Sequence, residues 1–292
     1  MPDEHGDATV VVPVGPRAEH LPEQLRALAR QVTDRPLHVI LACNGCPPAT
    51  ARSLVADTWQ GPHTIEIIDA AEMSGPSYAR NSGWRRSSSP TVLFCDADDI
   101  VASGWAQGLL TALGRADLVG GTLEHDTLSG LVRTSWGATG SCSLPRKFRY
   151  LPFIPSGTLG ARRAALEALG GFDVGLHRGE DVDLSWRAQQ HGMRVERAPA
   201  AVVHVRRRSG ARALFAQAWA DARSDAVLLA RHRPHGAHWA IHDLVREAAG
   251  VAVAAAEAVV SADGRTKLAS RSGRFAGHAC TIGALARAAR RR

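Results

Sequence analysis

Three carboxylates follow one apolar segment, and their spacing suits a metal-assisted reaction on phosphates. Asp96, Asp98 and Asp99 come directly after Thr91–Cys95, which has the apolar and β-branched character of a buried strand. Such residues lie at the carboxyl edge of an open α/β sheet, where ligands bind. Like charges this close repel one another, and Mg²⁺ held by one or two carboxylates and substrate phosphates removes that repulsion. The alternative is a solvated acidic turn before a helix over residues 100–113.

A second group of carboxylates stands at the start of a predicted helix over residues 181–191. The helix macrodipole stabilises carboxylates such as Glu180 and Asp181 at that end. An ionised carboxylate held there could accept a proton from a hydroxyl group. The alternative is a capping cluster of Glu180, Asp181 and Asp183, which the local spacing alone favours.

A histidine, His204, lies inside a β-branched segment over residues 200–205. A histidine in this setting is usually a structural residue of a strand. Its other role would be as a neutral imidazole ligand to a metal held at Asp98.

The elements that must position these groups alternate through the first half of the chain. Apolar periodicity predicts strands at residues 9–14, 37–43, 64–68 and 91–95, separated by helices at 19–32, 49–59 and 77–87. This alternation indicates an α/β fold, with a mostly parallel central sheet flanked by helices.

The second half of the chain has a less regular pattern. A short strand is predicted at 117–121, and residues 122–155, rich in Gly, Ser and Thr, are expected to form a mobile loop over a substrate. The remaining predicted elements are helices at 162–169, 181–191, 212–231 and 241–260 and strands at 195 and 200–205. Residues 261–292 are expected to fray.

Positive charge is concentrated in the last third of the 292-residue chain. The net charge is +7, and residues 205–292 alone carry +10. Such asymmetry suggests an anionic partner, such as a membrane surface on which the helix over residues 212–231, with Arg206–Arg208, would rest and present a lipid-linked acceptor. The alternative is a merely solubilising surface. Nucleic acid is disfavoured because aromatic residues are not interleaved with the basic ones.

The remaining sequence features predict a cytoplasmic protein with at most peripheral membrane attachment. The N-terminal residues are acidic and polar, and no segment has the roughly 18 apolar residues that span a bilayer. Five cysteines without a regular framework fit a reducing compartment. Cys43 and Cys46 form a C-x-x-C pattern, for which redox and zinc roles are disfavoured because no second ligand pair follows.

Taken in order, these features resemble the family 2 glycosyltransferases with a GT-A fold. The resemblance rests on segments 10–14 (VVVPV), 44–45 (NG), 75–83 (GPSYARNSG), 96–99 (DADD), 170–173 (GGFD) and 179–187 (GEDVDLSWR), with Pro199 and His204. Each motif is weak alone, but their order over residues 8–208 is specific. The implied organisation is a GT-A catalytic domain over residues 1–208, with a nucleotide-sugar half at 8–121 and an acceptor half at 122–208. A basic helical extension over 209–292 follows it.

The resemblance implies an inverting transfer of a sugar from a nucleotide-diphosphate sugar to an acceptor hydroxyl, with Mg²⁺ or Mn²⁺. It assigns the base to Asp181, with Glu180 beside it. It assigns the metal to Asp98 and His204 with support from Asp99. Contacts to the nucleotide fall to Pro13, Asn44, Arg80 and Asp96.

Two departures from the family pattern leave the nucleotide base open. Cys43 and Asn44 stand where one or two acidic residues are usual, and residues 14–17 lack the common aromatic residue and asparagine.

Two other functions remain as alternatives. A nucleotidyltransferase would also use D-x-D but needs a basic phosphate loop after the first strand. A non-catalytic sugar-nucleotide-binding protein would keep the fold without turnover.

Overall fold

The computed structural model describes residues 8–129, 143–206 and 210–289. These residues form two compact units. The first contains residues 8–128, 143–145 and 152–206 and holds a β-sheet with its helices. The second contains residues 129, 146–151 and 210–289 and is helical. The predicted domain boundary at residue 208 lies outside the described residues and stays a prediction.

Eight strands form one mixed sheet in the first unit. They are β1 (Ala8–Val14), β2 (Leu37–Cys43), β3 (Thr64–Asp69), β4 (Thr91–Cys95), β5 (Ile100–Val101), β6 (Leu118–Glu124), β7 (Thr158–Arg162) and β8 (Val195–His204). Their spatial order is β3-β2-β1-β4-β7-β6-β8-β5. The pairs β1–β2, β1–β4, β2–β3 and β6–β8 are parallel, whereas β7 runs antiparallel to β4 and β6, and β5 to β8.

Helices cover both faces of this sheet. They are α1 (Leu21–Ala29), α2 (Pro48–Thr58), α3 (Pro76–Arg86), α4 (Trp105–Leu113), α5 (Asp126–Ser129), α6 (Arg163–Leu169) and α7 (Glu180–Gln190). Alternate side chains of a strand point to opposite faces. Accordingly Val10 and Val12 belong to the apolar core with α1 and α4, while Val11 belongs to the core with α3 and α7. The predicted α/β fold with a central sheet flanked by helices is confirmed.

Residues 100–113 do not form the single helix that the acidic-turn alternative required. Ile100 and Val101 pair with His204 and Val203 as a short strand, and α4 begins only at Trp105. The β-branched pair therefore extends the sheet beside the three aspartates.

The predicted loop over 122–155 is partly regular. Strand β6 continues to Glu124 and α5 follows, while residues 130–142 lie outside the described residues. Strand β7 was not predicted, because Gly160 and Ala161 have low strand propensity. The structure explains the glycine, since a Cβ at Gly160 would lie 2.8 Å from Val119 Cγ2.

The predicted strands at 195 and 200–205 are one strand, β8. Its pairing with β6 shifts register between Gly120 and Thr122, whose partners are Arg197 and Val202. Pro199 falls within this irregularity, where the missing N–H breaks no regular ladder.

The second unit consists of long helices with the segment 146–151. They are α8 (Ala211–His232), a 3₁₀ turn (Arg233–His235), α9 (Ile241–Val260) and α10 (Ala262–Ala289). The expectation that residues 261–292 fray is wrong for α10. This helix packs closely, because a Cβ at Gly273 would lie 2.4 Å from Phe215 O and one at Gly277 2.9 Å from Trp219 O. Among the described residues, every helix is too short or too polar to cross a bilayer.

A buried charge cluster joins the three long helices. His278 Nδ1 lies 2.9 Å from Glu247 Oε2, and Nε2 lies 3.1 Å from Asp225 Oδ2. Lys147 also pairs with Asp225. Burial alone would lower the pKa of His278, but the hydrogen bonds to Asp225 and Glu247 outweigh it and raise the pKa. Both ring nitrogens therefore act as donors in the protonated imidazole.

We expect the helical unit to lose stability as pH rises. Since the pKa of His278 is higher in the folded chain, its stabilisation is fully present below pH 6.5 and disappears as pH passes the raised value. The free energy of unfolding of α8–α10, followed by hydrogen exchange between pH 6 and 9, should show this decline. In His278→Gln the decline should be much smaller, and an equal decline in both proteins would contradict the assignment.

Candidate active site

The three aspartates lie on the turn between β4 and β5, at the carboxyl end of β4. Asp96 is half-buried, Asp98 is exposed and Asp99 is buried. Gln24, fully buried on α1, braces this turn. Its Nε2 donates to Asp96 O at 3.0 Å, and its Oε1 accepts from Val101 N at 3.0 Å. The turn is therefore held at both ends by one side chain.

Arg80, on α3, links this turn to the start of α7. Its Nη2 lies 2.8 Å from Asp96 Oδ1, and its Nη1 lies 2.9 Å from Glu180 Oε1. Its exposed fraction is 3%. The structure thus places Arg80 beneath the carboxylates, whereas the sequence predicts that it lines a nucleotide pocket. That contact with a nucleotide stays a prediction.

Glu180 and Asp181 begin α7 after Gly179, which has a left-handed φ of 76°. Burial and the neighbouring Asp181 charge raise the pKa of Glu180 to about 7, against the opposing effect of Arg80. Asp181 is less buried. Its Oδ1 accepts from Val182 N at 2.8 Å, and its Oδ2 accepts from Ser156 N at 3.2 Å. Of the two carboxylates, Asp181 is the one not held by Arg80 through a direct ion pair.

Asp183, the third carboxylate of this motif, has a structural contact. It is fully buried, and its Oδ2 lies 2.7 Å from Arg187 Nε, one turn further along α7. Arg187 in turn donates to Leu169 O and Gly171 O, at 2.8 Å each. The capping alternative therefore does not describe the whole motif, since Asp183 ties α7 to the end of α6.

Asp99 points into the protein and is held from the far end of β8. Its Oδ1 accepts from Arg206 N at 2.8 Å, and Arg206 Nη2 pairs with Glu23 at 2.7 Å. Burial, and then the charges of Asp96 and Asp98, raise the pKa of Asp99 to about 8. The structure uses Arg206 to brace the acidic turn, so this residue is engaged here and does not belong to the surface of the basic tail.

His204 lies at the end of β8, opposite Ile100 of β5. Its Nδ1 lies 2.7 Å from Glu124 Oε2 on the neighbouring strand β6. A carboxylate on one ring nitrogen orients the ring and fixes which nitrogen carries the proton. If Nδ1 donates to Glu124, Nε2 keeps the lone pair that a metal ligand needs.

The segment before β7 approaches the carboxylates from a third side. A Cβ at Gly157 would lie 2.9 Å from Asp96 Oδ2 and 3.9 Å from Asp99 Oδ2. The preceding residue, Ser156, donates its backbone N–H to Asp181. Ser156 therefore contacts Asp181, while the adjacent Gly157 lies close to Asp96 and Asp99.

The other predicted nucleotide contacts lie at the ends of β1 and β2. Pro13 is half-buried on β1 and pairs with Ala42 of β2. Asn44 uses its side chain to brace the following loop: Nδ2 donates to Ala70 O and to Met73 O, and Oδ1 accepts from Gly75 N at 2.9 Å. Their contacts with a nucleotide stay predictions.

Cys43 and Cys46, the two cysteines of the C-x-x-C pattern, belong to the apolar core. Cys43 and Cys46 are buried and unbridged. Burial, and then the nearby Cys46 and Asp69, raise the pKa of Cys43 to about 11. A thiol that stays protonated is a poor nucleophile and a poor metal ligand, which agrees with the low expectation for redox or zinc chemistry.

A divalent cation fits the donor set only with help from a substrate. Within residues 8–129, 143–206 and 210–289, no three His, Cys, Asp or Glu side chains are arranged as a complete metal site. The acidic turn nevertheless offers hard oxygen donors, and Mg²⁺ commonly takes one or two carboxylates while substrate phosphates and water fill the remaining positions. The exposed Asp98 suits this mode of binding.

Sequence reasoning missed several residues that support the site. They are Gln24, Glu124, Ser156, Gly157 and Arg206. Only Gln24 gave a signal, because it occupies an apolar position of α1 among Leu21, Leu25 and Leu28. The partners of the others are distant in the sequence.

Replacement of Arg80 by methionine should destabilise the first unit by about 3 kcal/mol, because two carboxylates would lose their buried cation. Urea unfolding of the purified variant measures this change. Arg86→Met is a matched control on the same helix. Arg86 pairs with Glu66 but its side chain is 62% exposed, so the loss should stay below about 1 kcal/mol. Equal losses of unfolding free energy in the two variants would show that the buried pairing of Arg80 stabilises the unit no more than the exposed pair of Arg86 and Glu66 does.

Comparisons with known proteins agree on one family. A model of glycosyl transferase family 2 matches residues 9–169, and one of glycosyl transferase family group 2 matches residues 92–258. A pre-mycofactocin glycosyltransferase of Mycobacterium tuberculosis is 30% identical over 244 residues, which cover 78% of this chain and 48% of that protein. Glycosyltransferase AglE of Haloferax volcanii is 24% identical over 187 residues, 63% of this chain and 62% of that protein. The chain spans about half the length of the first of these relatives.

Solved structures show the same fold at low sequence identity. The mannosyltransferase PcManGT of Pyrobaculum calidifontis, in complex with GDP-Man and Mn²⁺, has a TM-score of 0.63 and 17% identity, over 94% of this chain and 86% of that one. Residues 1–349 of S. aureus TarS, in complex with UDP, give a TM-score of 0.52 and 15% identity, over 97% of this chain and 92% of that one.

Proposed function

The chain belongs to glycosyl transferase family 2 and has a GT-A fold, and we propose that it transfers a sugar from a nucleoside diphosphate sugar to an acceptor hydroxyl with inversion at the anomeric carbon. The observation that carries this proposal is the pairing of Arg80 with Asp96 and Glu180. It ties Asp96 at the end of β4 to Glu180, the neighbour of the predicted base Asp181, at the start of α7. This pairing supports a single site formed by the two motifs.

On the donor side, Asp96 binds the nucleotide portion and Asp98 faces the diphosphate. Asp98 would hold a divalent cation, Mg²⁺ or Mn²⁺, together with the substrate diphosphate. The predicted set of Asp98, His204 and Asp99 does not form a complete metal site by itself within the described residues. When bound, such a cation would neutralise the charge that develops on the departing diphosphate. The complex of PcManGT with GDP-Man and Mn²⁺ supports this donor class and this type of metal.

On the acceptor side, Asp181 acts as the general base. It takes the proton of the acceptor hydroxyl while that oxygen forms a bond to the anomeric carbon. The bond from this carbon to the diphosphate oxygen breaks, and the nucleoside diphosphate leaves on the opposite face. The hydrogen bonds from Val182 N and Ser156 N favour the ionised carboxylate that a base requires.

Donor binding is the first test of the proposed reaction. Thermal unfolding of the chain with a panel of nucleoside diphosphate sugars should show one donor that raises the melting temperature. This shift should require Mn²⁺ or Mg²⁺ and disappear with a chelator. The same donor should then release its nucleoside diphosphate, by transfer or by slow hydrolysis.

Other outcomes would contradict the proposal. Release of pyrophosphate instead of a nucleoside diphosphate would identify a nucleotidyltransferase. Tight donor binding without hydrolysis, and without transfer to any acceptor of a broad panel, would identify a binding protein with the same fold. A shift of equal size with and without the metal would remove the cation from the mechanism.

A further inference from the structure

Helix α9 exposes one stripe of apolar residues to water. We call this stripe the outer face: Val245, Ala249, Val253, Ala256, Val259 and Val260. The valines at 245, 253, 259 and 260 are 64%, 54%, 82% and 85% exposed. Their spacing follows the helical repeat, so they form one continuous surface.

The acidic residues of α9 lie on the opposite side and are paired inside the unit. Asp243 pairs with Arg149 at 2.9 Å, Glu247 with His278 at 2.9 Å and Glu257 with Lys267 at 3.1 Å. A soluble helix normally buries its apolar stripe and exposes its charges. Here the carboxylates are paired within the unit while an apolar stripe is exposed, so the outer face is suited to an apolar environment outside the chain.

The charge around the outer face indicates what that environment is. Residues 205–292 contain 16 Lys and Arg but only 6 Asp and Glu. Four of these six carboxylates, Asp225, Asp243, Glu247 and Glu257, each have a basic partner. Residues 210–289, which the structure describes, contain 10 Lys and Arg against these 6 carboxylates, so the net charge of this part of the chain is positive.

Several exposed arginines belong to this surface. Arg246 is exposed one position after Val245, at the edge of the outer face, and Arg212, Arg231, Arg233 and Arg265 are exposed elsewhere on the same unit. An apolar stripe with an arginine at its edge, on a unit with further exposed arginines, is the surface expected of a helix that lies on an anionic bilayer, with its apolar residues at the level of the acyl chains.

We propose that the outer face of α9 docks on the surface of a membrane rich in anionic lipids. The helix lies parallel to the bilayer and buries its valines, while Arg246 and other exposed arginines of the unit contact lipid phosphates. This docking needs no donor, metal or transfer activity, so it stands independently of the proposed reaction. It would also bring the catalytic chain to acceptors that are themselves held in the membrane.

The test is flotation of the full chain with vesicles of phosphatidylcholine alone or with added phosphatidylglycerol. We expect binding to the anionic vesicles only, and weaker binding at about 0.5 M salt, because screening shortens the reach of the surface charge. In Val253→Glu/Val260→Glu, vesicle binding should fall by roughly tenfold or more. Hydrogen exchange of residues 241–260 should slow when vesicles are added to the unaltered chain.

A matched control makes the same change of charge elsewhere. Val32 and Met73 are exposed, at 70% and 46%, on the first unit. Val32→Glu/Met73→Glu should bind anionic vesicles as the unaltered chain does. Circular dichroism should show equal helix content in both variants, because the substituted side chains already face water.

Three results would overturn the proposal. The first is no binding to anionic vesicles, and the second is equal binding by both double variants. The third is a dimer, seen by light scattering, that Val253→Glu/Val260→Glu dissociates while vesicles are not bound. That result would assign the outer face to a second copy of the chain.

Discussion

An Asp181→Asn variant should lose about 10²–10⁴-fold in kcat, the range expected for removal of a general base. Asparagine keeps the shape of the side chain, but its single oxygen can accept from only one of Val182 N and Ser156 N. The fold should survive the loss of one such hydrogen bond, and the KM for the donor should change little. The measurement is the rate of nucleoside diphosphate release at saturating donor and acceptor, with donor affinity determined separately by calorimetry.

Glu167→Gln provides the matched control for this variant. Glu167 is an exposed carboxylate on α6 that pairs with Arg163. Removal of its charge should leave kcat within a factor of about two. If Asp181→Asn retains the rate of this control, the base must be another group, and the raised pKa of Glu180 makes that carboxylate the next to test.

An Asp98→Asn variant should lose about 10³-fold in activity, which corresponds to ~4 kcal/mol of lost charge stabilisation in the transition state. Asp98 is the exposed member of the acidic turn, so its substitution removes the predicted ligand without disturbing the buried contacts of Asp99 or Arg80. The Mn²⁺ concentration that gives half-maximal activity should rise. Unfolding in urea should not change appreciably.

The metal dependence distinguishes this effect from a loss of structure. Asp57→Asn, an exposed carboxylate on α2, should leave both the Mn²⁺ requirement and the rate unchanged. A variant at Asp98 that is weakly active but has the original Mn²⁺ requirement would contradict its assignment as a ligand. Restoration of activity in Asp98→Asn by excess Mn²⁺ would support it.

The strands with dense apolar patterns were predictable from the sequence. The bounds of β2 and β4 agree with the prediction, because Leu37–Cys43 and Thr91–Cys95 are nearly continuous apolar segments between polar turns. Strand β7 was missed, because close packing against Val119 selects glycine at position 160 and glycine carries no strand signal. Packing overrode local propensity there.

The placement of the carboxylates at strand and helix ends was predictable from the sequence, but the residues that support them were not. The positions of Asp96, Glu180 and Asp181 follow from motifs, whereas the ion pairs of Arg80 join residues 16 and 100 positions away. Pairing across such distances depends on which strand ends meet, and a single sequence does not encode that in any local pattern. Burial of Arg80 and the link between Glu124 and His204 therefore emerge only in three dimensions. The predicted catalytic and metal-binding roles stay predictions until the variants above are measured.

The close approach at Gly157 sets a limit for anyone who alters this protein. The backbone there has no left-handed φ, so glycine is needed for space and not for conformation. Even alanine would place a methyl group 2.9 Å from a carboxylate oxygen of Asp96. Libraries that aim to broaden acceptor choice should therefore diversify the neighbouring loop and keep position 157 invariant.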